Sequence, residues 1–166
     1  MGEFGASVGL DGNILIGGAS MYDGAVVDAE IATIHCISCP GQNYCVSTSN
    51  STGAPATISA CGSRRISTND LALVAHSIPT EPYLLFGGAN QVQLPFGDGF
   101  QCAGVNIVRL HAPAFPVGSS VMQSIDFAAI GLTTAQTIHV QGWFRDPAAG
   151  GSGWNLTDGL ALNLLP

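Results

Sequence analysis

Turn-forming residues interrupt this chain so often that helices have little room. The 22 Gly and 9 Pro are spread through its 166 residues. Few windows of the ~12 residues that a stable helix needs escape one of them. Good helix formers are scarce as well, with three Glu, three Met and no Lys.

Strand patterns fill the space that remains. Over residues 137–144, Ile138, Val140 and Phe144 alternate with mostly polar neighbours, and Val121, Ile125 and Phe127 alternate with Ser120, Met122, Ser124 and Asp126. The short apolar runs Ile14-Leu15-Ile16 and Tyr83-Leu84-Leu85-Phe86 are flanked by Gly or Pro, which suits buried strands. Residues 69–77 offer Asn69 as a helix cap, but Leu71, Leu73 and Ala75 alternate, so a strand is expected there. About ten short strands with turns every ~8–12 residues predict an all-β fold, an antiparallel β-sandwich of jelly-roll-like kind. Turns are expected at residues 50–53, 87–90, 97–99 and 146–153.

Charge removes several functions. Only 9% of residues are charged, against roughly 25% in average soluble proteins. Four Arg face eleven acidic residues, for a net charge of −7. Phosphate neutralisation needs a basic face, so no nucleic-acid partner is expected, nor an anionic membrane surface. No apolar run approaches the ~20 residues of a spanning helix, so membrane insertion is not expected. The apolar content of 46% excludes disorder. Without Lys there is neither a phosphate-binding G-x-x-x-x-G-K-[ST] loop nor a Schiff base, and no G-x-S-x-G is present. His35, His76, His111 and His139 are scattered, with no H-x-H, H-E-x-x-H or two-His-one-carboxylate cluster. Among the carboxylates Asp70, Glu81, Asp98, Asp126, Asp146 and Asp158, the three aspartates Asp98, Asp146 and Asp158 stand beside Gly or Pro, where Asp bonds its own backbone. No catalytic residue is expected. Asp98 and Asp146 are the candidates for holding a calcium ion.

The chain divides into three zones: a Gly-rich segment, 1–34; a Cys-rich connector, 35–45; and a β-sandwich body, 46–166. Cys36, Cys39, Cys45, Cys61 and Cys102 are odd in number, and spacing alone does not choose among fifteen pairings of four of them. Disulfides are the default in a secreted protein. The alternative is zinc on His35-Cys36-x-x-Cys39-x5-Cys45, which offers a single knuckle.

Residues 4–19, Phe4-Gly5-Ala6-Ser7-Val8-Gly9-Leu10-Asp11-Gly12-Asn13-Ile14-Leu15-Ile16-Gly17-Gly18-Ala19, resemble one FG-GAP repeat, the unit of integrin-type β-propellers. The acidic calcium loop of that family is missing. A second resemblance is longer. Asn43-Tyr44-Cys45, Asn50-Ser51-Thr52-Gly53, Pro95-Phe96-Gly97-Asp98-Gly99-Phe100-Gln101-Cys102 and residues 143–160, from Trp143-Phe144-Arg145-Asp146-Pro147 to Asp158-Gly159-Leu160, occur in that order. This is similar to the C-terminal β-rich domain of large secreted, planctomycete-type bacterial proteins, which follows FG-GAP repeats. The resemblance implies an extracellular or cell-surface setting and a β-rich fold, and no reaction. It also implies a Cys45–Cys102 pair, with Cys36 bonded to Cys39 or Cys61. The opening residues lack the charged and apolar regions of a secretion signal, so export is inferred from the cysteines and this likeness.

A propeller needs several blades, because one repeat cannot bury its own apolar face. Either the chain is part of something longer or its first strands find a partner elsewhere. Residues 13–19 carry no charge, although natural sheet edges are blunted with it. Pairing of Phe4, Val8, Leu10, Ile14, Leu15 and Ile16 across copies would build a filament or surface array. The expected function is therefore a non-enzymatic extracellular structural or adhesive module whose partners are further copies of itself. The alternative is a carbohydrate-binding module that presents Trp143 and Trp154 with Arg145 and Asp146 to glycans. The sequons at Asn50 and Asn155 are candidate glycosylation sites.

Overall fold

The computed structural model describes residues 7–11, 14–19, 31–36 and 39–166, and throughout them the chain is built of β-strands. Strands β1 (Ser7–Asp11), β2 (Ile14–Ala19) and β3 (Ile31–Cys36) form an antiparallel meander in the order β1-β2-β3. The expected strand pair thus gains a third member, which runs past residue 34 into the connector.

From residue 39 onward the body follows: β4 (Gln42–Tyr44), β5 (Thr57–Cys61), β6 (Ala72–His76), β7 (Tyr83–Gly88), β8 (Asn90–Phe96), β9 (Gly99–Gly104), β10 (Val108–Arg109), β11 (Ser120–Ser124), β12 (Thr137–Arg145) and β13 (Trp154–Asn163). The helical content of the described residues is one 3-10 turn, Pro147–Ala149. A five-stranded sheet in the order β10-β7-β12-β13-β4 faces a three-stranded sheet in the order β11-β6-β5. The hairpin β8-β9 stands apart from both sheets in pairing. All strand pairs are antiparallel, so the expected sandwich class holds. The 69–77 segment is strand β6. Asn69 does not cap a helix; at φ +51° it turns the chain, and its Oδ1 accepts the Phe127 N–H at 3.0 Å.

Alternation decides which side chain meets which layer. On β12, Ile138, Val140 and Phe144 turn inward and meet Tyr83 and Leu85 of β7, Leu160 and Leu162 of β13, and Ile58, Leu73 and Val121 of the opposing sheet. Each is buried, and truncating such a Leu costs about 2–5 kcal/mol through lost transfer energy and the cavity left behind. On the outer face the same strands present Leu84, Phe86, His139, Gln141, Trp143 and Leu156. Gln141 is accommodated on that face because a third layer, the β8-β9 hairpin, supplies it with backbone partners.

A β-bulge marks the middle of the central pair. Gln141 lies opposite Gly159 and Trp143 opposite Leu156, so Gly142 faces both Thr157 and Asp158. The Gly142 N–H donates to Thr157 Oγ1 at 2.9 Å. Asp158 then ties the two sheets together. Its Oδ1 accepts the Ile58 N–H at 2.8 Å and its Oδ2 accepts from Asn43 Nδ2 at 2.9 Å. Burial is the largest influence on this carboxyl and pushes it above its usual range, against the pull of these hydrogen bonds.

Candidate functional site

The hairpin is held on the outer face by three independent devices. Gln141 is fully buried; its Nε2 donates to Phe100 O at 2.8 Å and Thr157 O at 2.7 Å, while its Oε1 accepts the Cys102 N–H at 2.8 Å. One side chain therefore replaces the ladder that the hairpin lacks with the sheet beneath it. A disulfide joins Cys45, just after β4, to Cys102 on β9, the pair that the resemblance implied. Tyr44 Oη donates to Cys102 O at 2.9 Å, and burial pushes this phenol up to about 12. Close approach completes the fit: a Cβ on Gly88 would sit 2.5 Å from Gly104 O, so the hairpin needs glycine there.

The hairpin covers only part of the outer face. Where it stops, an open groove of about 370 Å³ remains, lined by Leu84, Phe86, Phe96, Gln101, Ile107, Arg109, Trp143 and Leu156. Leu84 and Phe86 come from β7, Trp143 from β12 and Leu156 from β13, so the floor is rigid sheet. Phe96 and Gln101 come from the hairpin, and Ile107 and Arg109 from the edge at β10. Trp154 backs the site: its ring lies edge-on to Phe96 at 4.3 Å and 6.3 Å from Trp143. Gly97, at φ +63°, packs so closely on Trp154 that a Cβ would fall 2.5 Å from the indole. Of the apolar lining residues, Phe96 and Ile107 are about half exposed. Contiguous apolar surface of this kind marks binding sites.

The structure separates the four residues expected to form a glycan platform. Trp143 lines the groove and Trp154 supports it. Arg145 is exposed and takes no part in the lining. Asp146 is buried, 1% exposed, because its Oδ2 accepts the Ser51 N–H at 3.0 Å and its backbone N–H bonds Gly153 O. A buried carboxylate engaged with its own loops cannot meet a sugar.

Both calcium candidates do loop work. Asp98 accepts the Ser152 N–H through both oxygens, at 2.8 and 3.1 Å, and Asp146 holds the 50–53 turn. Among the described residues no three His, Cys, Asp or Glu side chains converge as a metal group. The sequons are corrected by burial. Asn50 Nδ2 donates to Ser77 O at 2.7 Å, and Asn155, 1% exposed, donates from Nδ2 to Ser49 O at 3.4 Å. Neither nitrogen is open to glycosylation in the folded domain. Cys61 is disulfide-bonded and buried, and Cys39 is exposed; Cys36 lies on β3. Of the proposed assembly residues, Val8 and Leu10 lie on β1 and Ile14, Leu15 and Ile16 on β2, with Leu10 opposite Leu15; Phe4 falls outside the described residues.

One histidine, His111, sits where its neutral form is required. The Leu85 N–H donates to His111 Nε2 at 2.9 Å, and His111 Nδ1 bonds Ala112 O. This places the proton on Nδ1 and makes the ring a substitute for strand pairing at the β7 edge. His139 is buried on the outer face, edge-on to Tyr44 at 5.6 Å. Desolvation lowers the pKa of both, the Ala112 carbonyl opposing it at His111.

The fold and groove together define a class: an antiparallel β-sandwich with a strapped-on hairpin and an apolar groove on one face. No protein-family profile matches the chain, and no characterised protein or solved structure matches it.

Proposed function

We propose that this chain is a non-enzymatic, extracellular structural and adhesive module that associates with copies of itself by strand addition. One observation carries the reading. In the first sheet β2 has a neighbour on each side, which leaves β1 and β3 as its outer strands among the described residues. Those two strands hold a single Asp and no Lys, Arg or Pro between them. Such strands lack the features by which natural edges refuse a further strand. Addition therefore runs through β1 of one copy and β3 of the next, a head-to-tail contact that propagates into an open array. The interior strand β2, with Ile14–Ile16, stabilises each unit and is not itself the seam.

The Cys45–Cys102 bond supports an oxidising, extracellular setting. The likeness of residues 4–19 to an FG-GAP repeat, and of 43–166 to the C-terminal domain of planctomycete-type secreted proteins, supports the same placement. Non-enzymatic action is supported by the structural use of Asp98, Asp126, Asp146 and Asp158, each of which accepts a backbone N–H.

The test is deletion of residues 1–20, followed by sedimentation and negative-stain imaging of both proteins. Intact chains are expected to form concentration-dependent oligomers that the truncated chain does not. Equal monodispersity of the two proteins would remove the assembly reading.

A further inference from the structure

We infer that the outer-face groove binds a small amphiphilic carboxylate, a molecule with one apolar body and one anionic head. The inference is independent of the strand-addition reading, since every residue it uses belongs to the body.

Six of the eight lining side chains, Leu84, Phe86, Phe96, Ile107, Trp143 and Leu156, are apolar. The two polar ones are unequal. Gln101 Nε2 donates to Ala103 O at 2.9 Å, which ties one of its two amide donors to the hairpin, and its amide carries no charge. Arg109 is exposed, and its guanidinium has no ion-pair or hydrogen-bond partner among the described residues. It is one of only four cations in a chain of net charge −7, and no acidic side chain shares the groove with it. Local charge therefore favours an anion at one end of the groove, and the planar fork of Arg matches a carboxylate with two parallel bonds.

The rest of the lining determines what the anion is attached to. A sugar laid on Leu84, Phe86 and Leu156 would lose water from its hydroxyls with no donors or acceptors in return. An alkyl or aryl body loses nothing there and removes the apolar floor from water. The groove's size agrees: about 370 Å³ holds roughly a dozen groups at the ~30 Å³ that a water-sized group takes in a liquid. That is one short acyl chain or a small fused ring, and not a stretch of polymer.

Dodecanoate, kept below its micellar concentration, is the probe. Titration into the full chain would be followed by calorimetry and by tryptophan fluorescence, which Trp143 in the lining should report. The expected result is saturable one-to-one binding. Dodecanol, with the same body and no charge, should bind about tenfold more weakly. Arg109→Gln should lower dodecanoate affinity to that of dodecanol while leaving dodecanol unchanged. Ile107→Asp, at an exposed position that folding tolerates, should abolish both. Three results would overturn the inference: no dodecanoate binding up to its solubility limit, equal affinity for dodecanol and dodecanoate, or binding of glucuronate in preference to dodecanoate. The last would assign the groove to acidic sugars. None of these results bears on oligomer formation, so the two readings fail separately.

Discussion

The two faces of the five-stranded sheet are made by the same strands and solve opposite problems. The inner face, with Leu85, Val140, Phe144, Leu160 and Leu162, is apolar and closed by the opposing sheet. The outer face mixes Phe86, Trp143 and Leu156 with His139 and Gln141, and is closed only where the hairpin reaches. The inner face needs volume filled and nothing more. The outer face needs hydrogen bonds returned to its polar groups, and Gln141 shows how: its amide has three short bonds to the hairpin and β13 backbone. Burial on one side is therefore generic, whereas on the other it is specific to one docked hairpin, and this specificity leaves the groove.

The comparison can be broken most severely from inside. Phe144→Ala, at a fully buried inner position, should cost about 3–5 kcal/mol, and urea denaturation should show one cooperative transition at a much lower midpoint. Removal of the Cys45–Cys102 bond, by reduction or by paired Ala substitution, releases a 57-residue separation. The chain-entropy estimate for that loop is about 4 kcal/mol, and the usual measured cost is 2–5. Comparison of the midpoint with and without reductant, in a C61A background that excludes the Cys61 bond, would show whether the outer layer depends on its covalent clamp.

Gln141→Leu should cost about 2–3 kcal/mol, because the Cys102 N–H and the Phe100 and Thr157 carbonyls lose a buried partner. Hydrogen exchange should locate the loosening in β8-β9 and not in β5-β6. Uniform loosening of both would mean that the hairpin is not a separate layer in energetic terms.

Acid supplies a gentler probe. His111 and His139 have folded pKa values below the ordinary 6.5, so the unfolded chain binds more protons just below that pH. Their contribution is complete above pH 6.5 and is lost as pH falls through the window down to the folded values. Asp158, whose carboxyl is raised above 3.8 by burial, has the opposite sign and gains stability as it protonates. A His111→Gln variant, which keeps an acceptor for the Leu85 N–H, should flatten the fall in urea midpoint between pH 7 and pH 5. An unchanged slope would assign the fall elsewhere. Smallest of all, Ile107→Ser on the groove rim should move stability by no more than about 0.5 kcal/mol.

Much of the sandwich was legible because strand period and turn chemistry agree. The alternation of Ile138, Val140 and Phe144 located the inner face of β12, and Gly97-Asp98-Gly99 marked the hairpin turn between β8 and β9. The third layer was not legible from period alone. Its signal was the run Tyr83-Leu84-Leu85-Phe86, apolar on both faces, which requires cover on each side. The groove residues Phe86, Gln101, Arg109 and Leu156 were missed because they come from four separate strands, and only the bulge and hairpin docking bring them together. Asp146 and Asn50 were misplaced for a related reason: a polar residue in a loop reads as exposed, whereas here Asp146 accepts the Ser51 N–H and Asn50 donates to Ser77 O. Asn155 is a strand residue of β13, buried with its Oδ1 accepting from Thr48 Oγ1.

The disulfide also determines how this molecule answers to a pull. The chain enters the body through β4, three residues long and at the sheet edge, and Cys45 follows at once. Tension applied from the N-terminal side can unzip that short strand and then meets a covalent link, which hands the load directly to Cys102. The 57 residues bypassed represent roughly 190–200 Å of contour that cannot pay out while the bond is intact. While the bond is intact that part of the chain stays out of the load path, and a reducing environment releases it.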